Sequence, residues 1–279
     1  MLFFAFVACD SDSSADVPKG SLNLVYFGNS LVRGFGFFGV AASSDQNDYS
    51  ALVNQHFTSL GYEVNGVRTT AGIYEKLLSK EDQDSLLNEY FYPYLDKSTD
   101  FVVVQFGDNV TEQAMLDVFA PSVGRIVDEV RARVSSEAEI ILVSSWYSSE
   151  IVDRAREGIR QTAKEKNVPF IDISDLNTVE NQSHLGAVIT HPEKASYSAA
   201  YESFSVDSGK VTLSFNVAGK AYTSTFAAEE YSVDSLKKEI TWEGYESVVV
   251  DPDVASHPGD QGFKLIADRI IKEIEKHLK

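Results

Sequence analysis

Phe101-Val-Val-Val-Gln-Phe106, running into Gly107-Asp108-Asn109, is a β-branched and aromatic run that stops at a turn. Such a run suits a strand buried on both faces, as in a parallel sheet covered by helices on each side. The flanking segments agree with that reading. Pro121–Val134 predicts a helix, with Val123, Ile126, Val127, Val130 and Val134 on one stripe. Glu139-Ile-Ile-Leu-Val-Ser-Ser145 predicts the next buried strand, Ile151–Lys166 a helix and Val168–Ile173 a further strand. Upstream, Leu22-Asn-Leu-Val-Tyr-Phe27 reads as the first strand, Asp48–Leu60 as a helix, Tyr62–Thr69 as a strand and Lys76–Tyr90 as a helix. The chain closes on Gly262–Leu278, whose apolar residues recur at helical spacing. Strands alternating with helices define an α/β fold: a three-layer α/β/α domain around a central parallel sheet. In such sheets a binding site lies at the C-terminal ends of the strands.

One region breaks the rhythm. From 185 to 250 the pattern turns β-like, and Lys210–Val217, Ala218-Gly219-Lys220 and Ala221–Phe226 read as a hairpin with a glycine-containing turn. Glu239–Trp242 and Glu246–Val250 predict further strands. The expected organisation is therefore a tether at 1–20, an α/β domain from 21–184 and 251–279, and a β-rich insertion at 185–250.

The bounds on function come from charge and from one cysteine. The 279-residue chain carries a formal net charge of −18, which repels phosphate backbones and argues against a nucleic-acid partner. Cys9 is the single cysteine, so no intrachain disulfide can form. It follows an apolar stretch, Met1–Ala8, and precedes the polar, acidic Asp10–Asp16. Phe6-Val7-Ala8-Cys9 resembles a bacterial lipobox, whose cysteine is lipidated, although no basic segment precedes it. No other stretch approaches the length of a membrane span, so the expected membrane link is a lipid anchor at Cys9 in the cell envelope.

Three turns fall at one edge of the expected sheet. Gly28-Asn29-Ser30 follows the first strand, Gly107-Asp108-Asn109 follows the Phe101–Phe106 strand, and His257-Pro258-Gly259 precedes the last helix. A serine on the turn after a buried strand is fixed by the strand and exposed by the turn, and a histidine entering from a C-terminal loop can take its proton. Ester hydrolysis also needs donors for the oxyanion. The Ser30 N–H and the Asn109 side-chain amide qualify, the latter without carrying charge. Turn formation alone also accounts for each triplet taken singly. Trp146-Tyr147 fall at the same edge, where they either pack on a sugar ring or cap the core. Arg33 and the Gly34–Gly39 loop, with Phe35, Phe37 and Phe38, either wall an acyl pocket or pack inward. The remaining histidines are weaker candidates. His56 sits on a helix, His184 and His191 flank the insertion without a metal-ligand set, and His277 lies at the end of the last helix.

Together, Gly28-Asn29-Ser30, Gly107-Asp108-Asn109 and His257-Pro258-Gly259-Asp260-Gln261-Gly262 with Ile266-Ala267 resemble the first, third and fifth blocks of the SGNH (GDSL-like) hydrolases. Asparagine stands at 29 where the commoner version has aspartate. Gly36, Ala41-Ala42-Ser43 and Asp48-Tyr49 are similar to a bacterial subgroup with Gly-Asn-Ser at the front, here of lipoprotein type. The resemblance implies a flavodoxin-like sheet, Ser30 as nucleophile, His257 as base, and an oxyanion hole lined by Ser30, Asn109 and a second-block glycine. Gly72 is the leading candidate for that glycine and Gly66 the alternative. The family places an aspartate three residues before the histidine, where this chain has Val254. Asp253 is the expected third member, with Asp251 or a backbone carbonyl as alternatives. The implied chemistry uses no cofactor and no metal. The implied substrate is a small acyl ester, an O-acetyl group on a carbohydrate above all. A catalytically weak glycan-binding lipoprotein, or a lipid-directed esterase or thioesterase, is the competing reading.

Overall fold

The computed structural model describes residues 19–36, 40–44, 46–183, 188–190, 195–217, 220–245, 247–249 and 255–278. Cys9, His184, His191, Asp251, Asp253 and Val254 lie outside the described residues, as do Phe37 and Phe38. The central sheet has five strands: β1 (Ser21–Gly28), β2 (Glu63–Thr70), β3 (Phe101–Gln105), β4 (Glu139–Val143) and β5 (Phe170–Ile171). They lie in the order β2-β1-β3-β4-β5, and every pairing is parallel. The principal helices are α1 (Tyr49–Ser59), α2 (Lys80–Tyr90), α3 (Gln113–Arg133), α4 (Glu150–Lys166) and α5 (Asp260–Glu275).

Strand periodicity splits the core into two layers. Leu22, Leu24 and Tyr26 of β1 and Val103 of β3 pack with Val53 and Phe57 of α1 and Ile266, Ile270 and Ile274 of α5. Val25, Phe27, Val102 and Val104 face the other way, onto Phe119, Val123, Ile126 and Val130 of α3 and Ile159 of α4. With both faces covered, every residue of β3 is buried, Gln105 included. The chain runs outward from β1 to β2 and then crosses back to β3. That reversal opens a crevice between the C-terminal ends of β1 and β3, the usual ligand position in such a sheet.

Three boundaries depart from the sequence reading. The expected Lys76–Tyr90 helix is a one-turn 3-10 segment, Gly72–Lys76, followed by α2 from Lys80, because the Ser79 side chain caps the later start by accepting from the Asp82 N–H. Helix α3 begins at Gln113 instead of Pro121, which stands inside it. Strand β5 is confined to Phe170–Ile171. The Val168 N–H turns back to the Ala163 carbonyl, and the Ile173 N–H goes to Ser144 Oγ.

In the 185–250 region, Lys210–Val217 pairs antiparallel with Lys220–Asp234, as the hairpin pattern predicts. The sheet there is larger than that pattern suggests, with the order Ser203–Asp207, Lys210–Val217, Lys220–Asp234, Glu239–Tyr245, Ala195–Ala200. Val211, Leu213 and Ile240 form its small buried cluster. Ser247–Val249 pairs separately with Val188–Thr190.

Candidate active site

The site is assembled from strand ends. Gly28 closes β1 where a Cβ would stand 2.1 Å from the Gln105 carbonyl oxygen, so the approach of β1 to β3 requires glycine. Asn29 follows as the cap of a one-turn helix, Ser30–Arg33, its Oδ1 accepting from the Leu31 N–H at 3.0 Å. Ser30 is thereby the first helical residue, a position whose N–H has no acceptor within the helix. Its hydroxyl oxygen lies 3.1 Å from His257 Nε2, bridging a sequence separation of 227.

His257 is placed by its backbone neighbours. The Ser183 N–H donates to the His257 carbonyl at 2.9 Å, the Gly259 N–H to Asn181 O at 2.9 Å, and Trp146 Nε1–H to Ser256 O at 2.9 Å. On the far side of the imidazole, the Tyr147 hydroxyl lies 2.9 Å from Nδ1, with the two rings edge to face at 5.6 Å. Burial holds the Tyr147 phenol well above its ordinary pKa, so it is neutral at physiological pH.

The turn after β3 carries Asn109. Gly107 sits at φ 116°, a conformation that side chains disfavour. Asp108 is buried and ties the strand ends together. It accepts from Asn29 Nδ2 at 2.8 Å, Gln105 Nε2 at 2.8 Å, and the N–H groups of Trp146 and Tyr147 at 2.7 and 2.9 Å. Burial raises its pKa while these donors oppose the rise. Asparagine at 29 fits this setting, since an aspartate there would face a second buried carboxylate. Gly72 opens the turn after β2, anchored by the Ala71 N–H to Gly28 O at 2.8 Å. A Cβ on Gly72 would lie 3.6 Å from Asn109 Nδ2 and 3.8 Å from Asn29 Cα, so Gly72 borders the Asn109 amide. Ser30, Gly72, Asn109 and His257 are all half-buried, hence reachable.

The structure therefore brings Ser30 and His257 together, with Gly72 next to Asn109 at the same sheet edge. Gly66 is not at that edge. It pairs with Leu24 in the middle of β2, where its Cβ position is filled by the Asn54 amide, beside a cavity of about 520 Å³ lined by Tyr26, Asn54 and Arg68. That cavity shares no residue with the Ser30–His257 constellation. Trp146 is fully buried in the core and offers no sugar platform. Arg33 is exposed. His56 pairs with Glu275 at 2.9 Å, and His277 lies 3.4 Å from Glu139.

Two side chains at the site escaped the sequence reading. One is the Tyr147 hydroxyl. The other is Glu75, which is fully buried and whose pKa rises to about 7, through burial first and the Asp108 charge second. Glu75 accepts from the Gly107 N–H, from the Asn109 N–H at 3.4 Å and from Asn109 Nδ2 at 2.5 Å. Its only sequence signal is its place three residues after Gly72, which has meaning only once that turn is docked on β1.

No protein-family model and no curated protein matches the sequence. Among solved structures, the chain is similar to the lipase/acylhydrolase from Enterococcus faecalis, at 16% identity and a TM-score of 0.52, covering 92% of this chain and 97% of that one. A G-D-S-L family protein from Desulfitobacterium hafniense aligns at 14% identity and TM-score 0.46, over 90% and 99% of the two chains. A psychrotrophic esterase from Pseudoalteromonas aligns at 12% and 0.38, over 54% and 76%. At these identities the first likeness establishes the fold alone: a five-stranded parallel sheet flanked by helices, as in that lipase/acylhydrolase, with β-hairpins inserted.

Proposed function

We propose that this chain is a serine esterase of the SGNH type that hydrolyses small acyl esters. The observation that carries the proposal is the 3.1 Å approach of Ser30 Oγ to His257 Nε2 at the crevice between β1 and β3. A neutral imidazole that accepts the Ser30 proton at Nε2 carries its own proton on Nδ1, facing the Tyr147 oxygen. As Ser30 Oγ bonds to the ester carbonyl carbon, His257 takes the hydroxyl proton, and the carbonyl oxygen becomes an oxyanion. The N–H groups of Ser30 and Gly72 and the Asn109 amide are its donors. His257 then returns the proton to the departing alcohol, and water repeats the sequence on the acyl-enzyme. Asp253 is the proposed carboxylate that stabilises the imidazolium.

We extend the proposal to O-acetyl groups on carbohydrate on one ground, the envelope-type N-terminus. Ser30→Ala tests the mechanism, and the native protein's preference among esters tests the substrate. The folded variant should lose about 10⁴-fold or more in kcat on a short-chain nitrophenyl ester. Native protein should release acetate from acetylated xylan faster than it cleaves long-chain esters. Undiminished turnover by the variant removes Ser30 from the mechanism, and a preference for long chains replaces the carbohydrate substrate with a lipid one.

A further inference from the structure

Glu75 plays no part in the proton transfers above, yet it touches the Asn109 amide assigned to the oxyanion. Its Oε1 accepts from the Gly107 N–H and, at 3.4 Å, from the Asn109 N–H, while Oε2 accepts from Asn109 Nδ2 at 2.5 Å. All three donors belong to the turn after β3. Among the described residues no lysine, arginine or histidine bridges this carboxylate, and the charge acting on it is that of Asp108. Tyr74, next to Glu75 on the Gly72–Lys76 segment, is held neutral by burial. A buried carboxylate without a cation depends on its hydrogen-bond donors, so the conformations of Glu75 and of the Gly107–Asn109 turn stabilise each other.

A terminal amide can exchange its oxygen and nitrogen by rotation about one bond. If Asn109 turned over, it would present Oδ1, an acceptor, to the developing oxyanion. An ionised carboxylate accepts only, so Oε2 rejects that orientation and selects the one with Nδ2 inward. Nδ2 has a second N–H, which meets no protein acceptor among the described residues. We propose, granting the esterase reading above, that Glu75 is the positioning residue of the oxyanion site, holding the Asn109 amide in the donor orientation. The negative charge of Glu75 opposes the oxyanion. Orientation prevails, because a turned amide replaces an attraction with a repulsion at contact distance.

Glu75→Gln keeps the shape but adds a donor, so it admits the turned amide. We expect kcat to fall about 10²- to 10³-fold with KM little changed, as for loss of one oxyanion donor. Asn109→Ala should cost a similar factor, and the double variant should be no slower than Asn109→Ala alone, because both changes remove one interaction. The second readout needs no turnover. The side-chain amide resonances of Asn109 should move between pH 5 and 9 in native protein and stay fixed in Glu75→Gln. Multiplicative losses, a Glu75→Gln enzyme as fast as native or faster, or Asn109 resonances that titrate alike in both proteins would each overturn the proposal. If Glu75→Gln does not fold, the native resonances decide alone: movement through the Glu75 titration supports the proposal, and invariance overturns it. Native protein without esterase activity, but with the expected Asn109 titration, removes the esterase reading and leaves the Glu75–Asn109 coupling supported.

Discussion

At the scale of single residues, the imidazole at 257 has two kinds of partner to distinguish. A carboxylate both orients the ring and stabilises its positive charge, whereas a neutral phenol only orients it. The Tyr147 hydroxyl stands 2.9 Å from Nδ1. Losing one neutral hydrogen bond is worth about 1 kcal/mol, or about fivefold to tenfold in rate. Losing a triad carboxylate is worth about 10⁴-fold. With Asp253 as the proposed carboxylate, Asp253→Asn is expected to reduce kcat by orders of magnitude and Tyr147→Phe by about tenfold. Steady-state kinetics on one short ester separates the two, and a larger loss in Tyr147→Phe would make the phenol the principal partner. Ser30, Asn109 and His257 were legible in the sequence because each sits on a turn next to a segment with strong periodicity. Tyr147 was legible as an aromatic at the right edge but not as a hydrogen-bond partner. Glu75 was not legible, because its burial and its three donors from the turn after β3 exist only in the folded chain.

At the scale of elements, α3 shows how packing overrides a local stop signal. Proline is favoured at the first position of a helix, which is why Pro121 reads as a start. Helix α3 nevertheless runs through it from Gln113. Leu116 and Phe119, both buried, extend the stripe of Val123, Ile126 and Val130 by about two more turns. Burying two such side chains is worth about 3–6 kcal/mol, against about 3 kcal/mol for an interior proline. The longer helix therefore wins. Pro121 itself is exposed, so its replacement loses no packing. Pro121→Ala restores an N–H for the Asp117 carbonyl and should stabilise the protein by about 1–3 kcal/mol, read as a rise of several degrees in Tm. An unchanged or lower Tm would mean that the proline contributes a bend that the packing of α3 needs. Elsewhere, the helices followed from their apolar stripes, and β1, β3 and β4, largely buried on both faces, from short continuous β-branched and aromatic runs bounded by turns. The edges of the insertion sheet were harder to see, because Ala195–Ala200 and Ser203–Asp207 alternate only over short stretches rich in serine and alanine.

At the scale of the whole molecule, net charge and buried acids act in the same direction on stability. The formal charge of −18 repels itself in the compact state, and protonation relieves it. Glu75 ionises at about 7 when folded, against 4.5 as its ordinary value, because burial penalises its charge. The folded chain thus holds that proton more tightly than the unfolded chain does. The resulting stabilisation, about 3 kcal/mol, is complete below the unfolded pKa and is lost as the pH rises through the folded one. Asp108, also raised by burial, adds to the same trend. Carboxylates held low oppose it at the acid end: Asp175 through its hydrogen bond to Arg269, and Asp96 through Ser98. Their contribution is present above the unfolded carboxyl range and is lost as the pH falls through their lowered values. Tm should therefore peak at about pH 5, decline toward pH 8 and fall again below about pH 4. Added salt should raise Tm at pH 8 by screening the surface charge. Glu75→Gln should flatten the segment between pH 5 and 7 while leaving the acid limb in place. Thermal scans across this range test the account, and a Tm that climbs from pH 5 to 8 would show that the buried acids do not govern the stability of this fold.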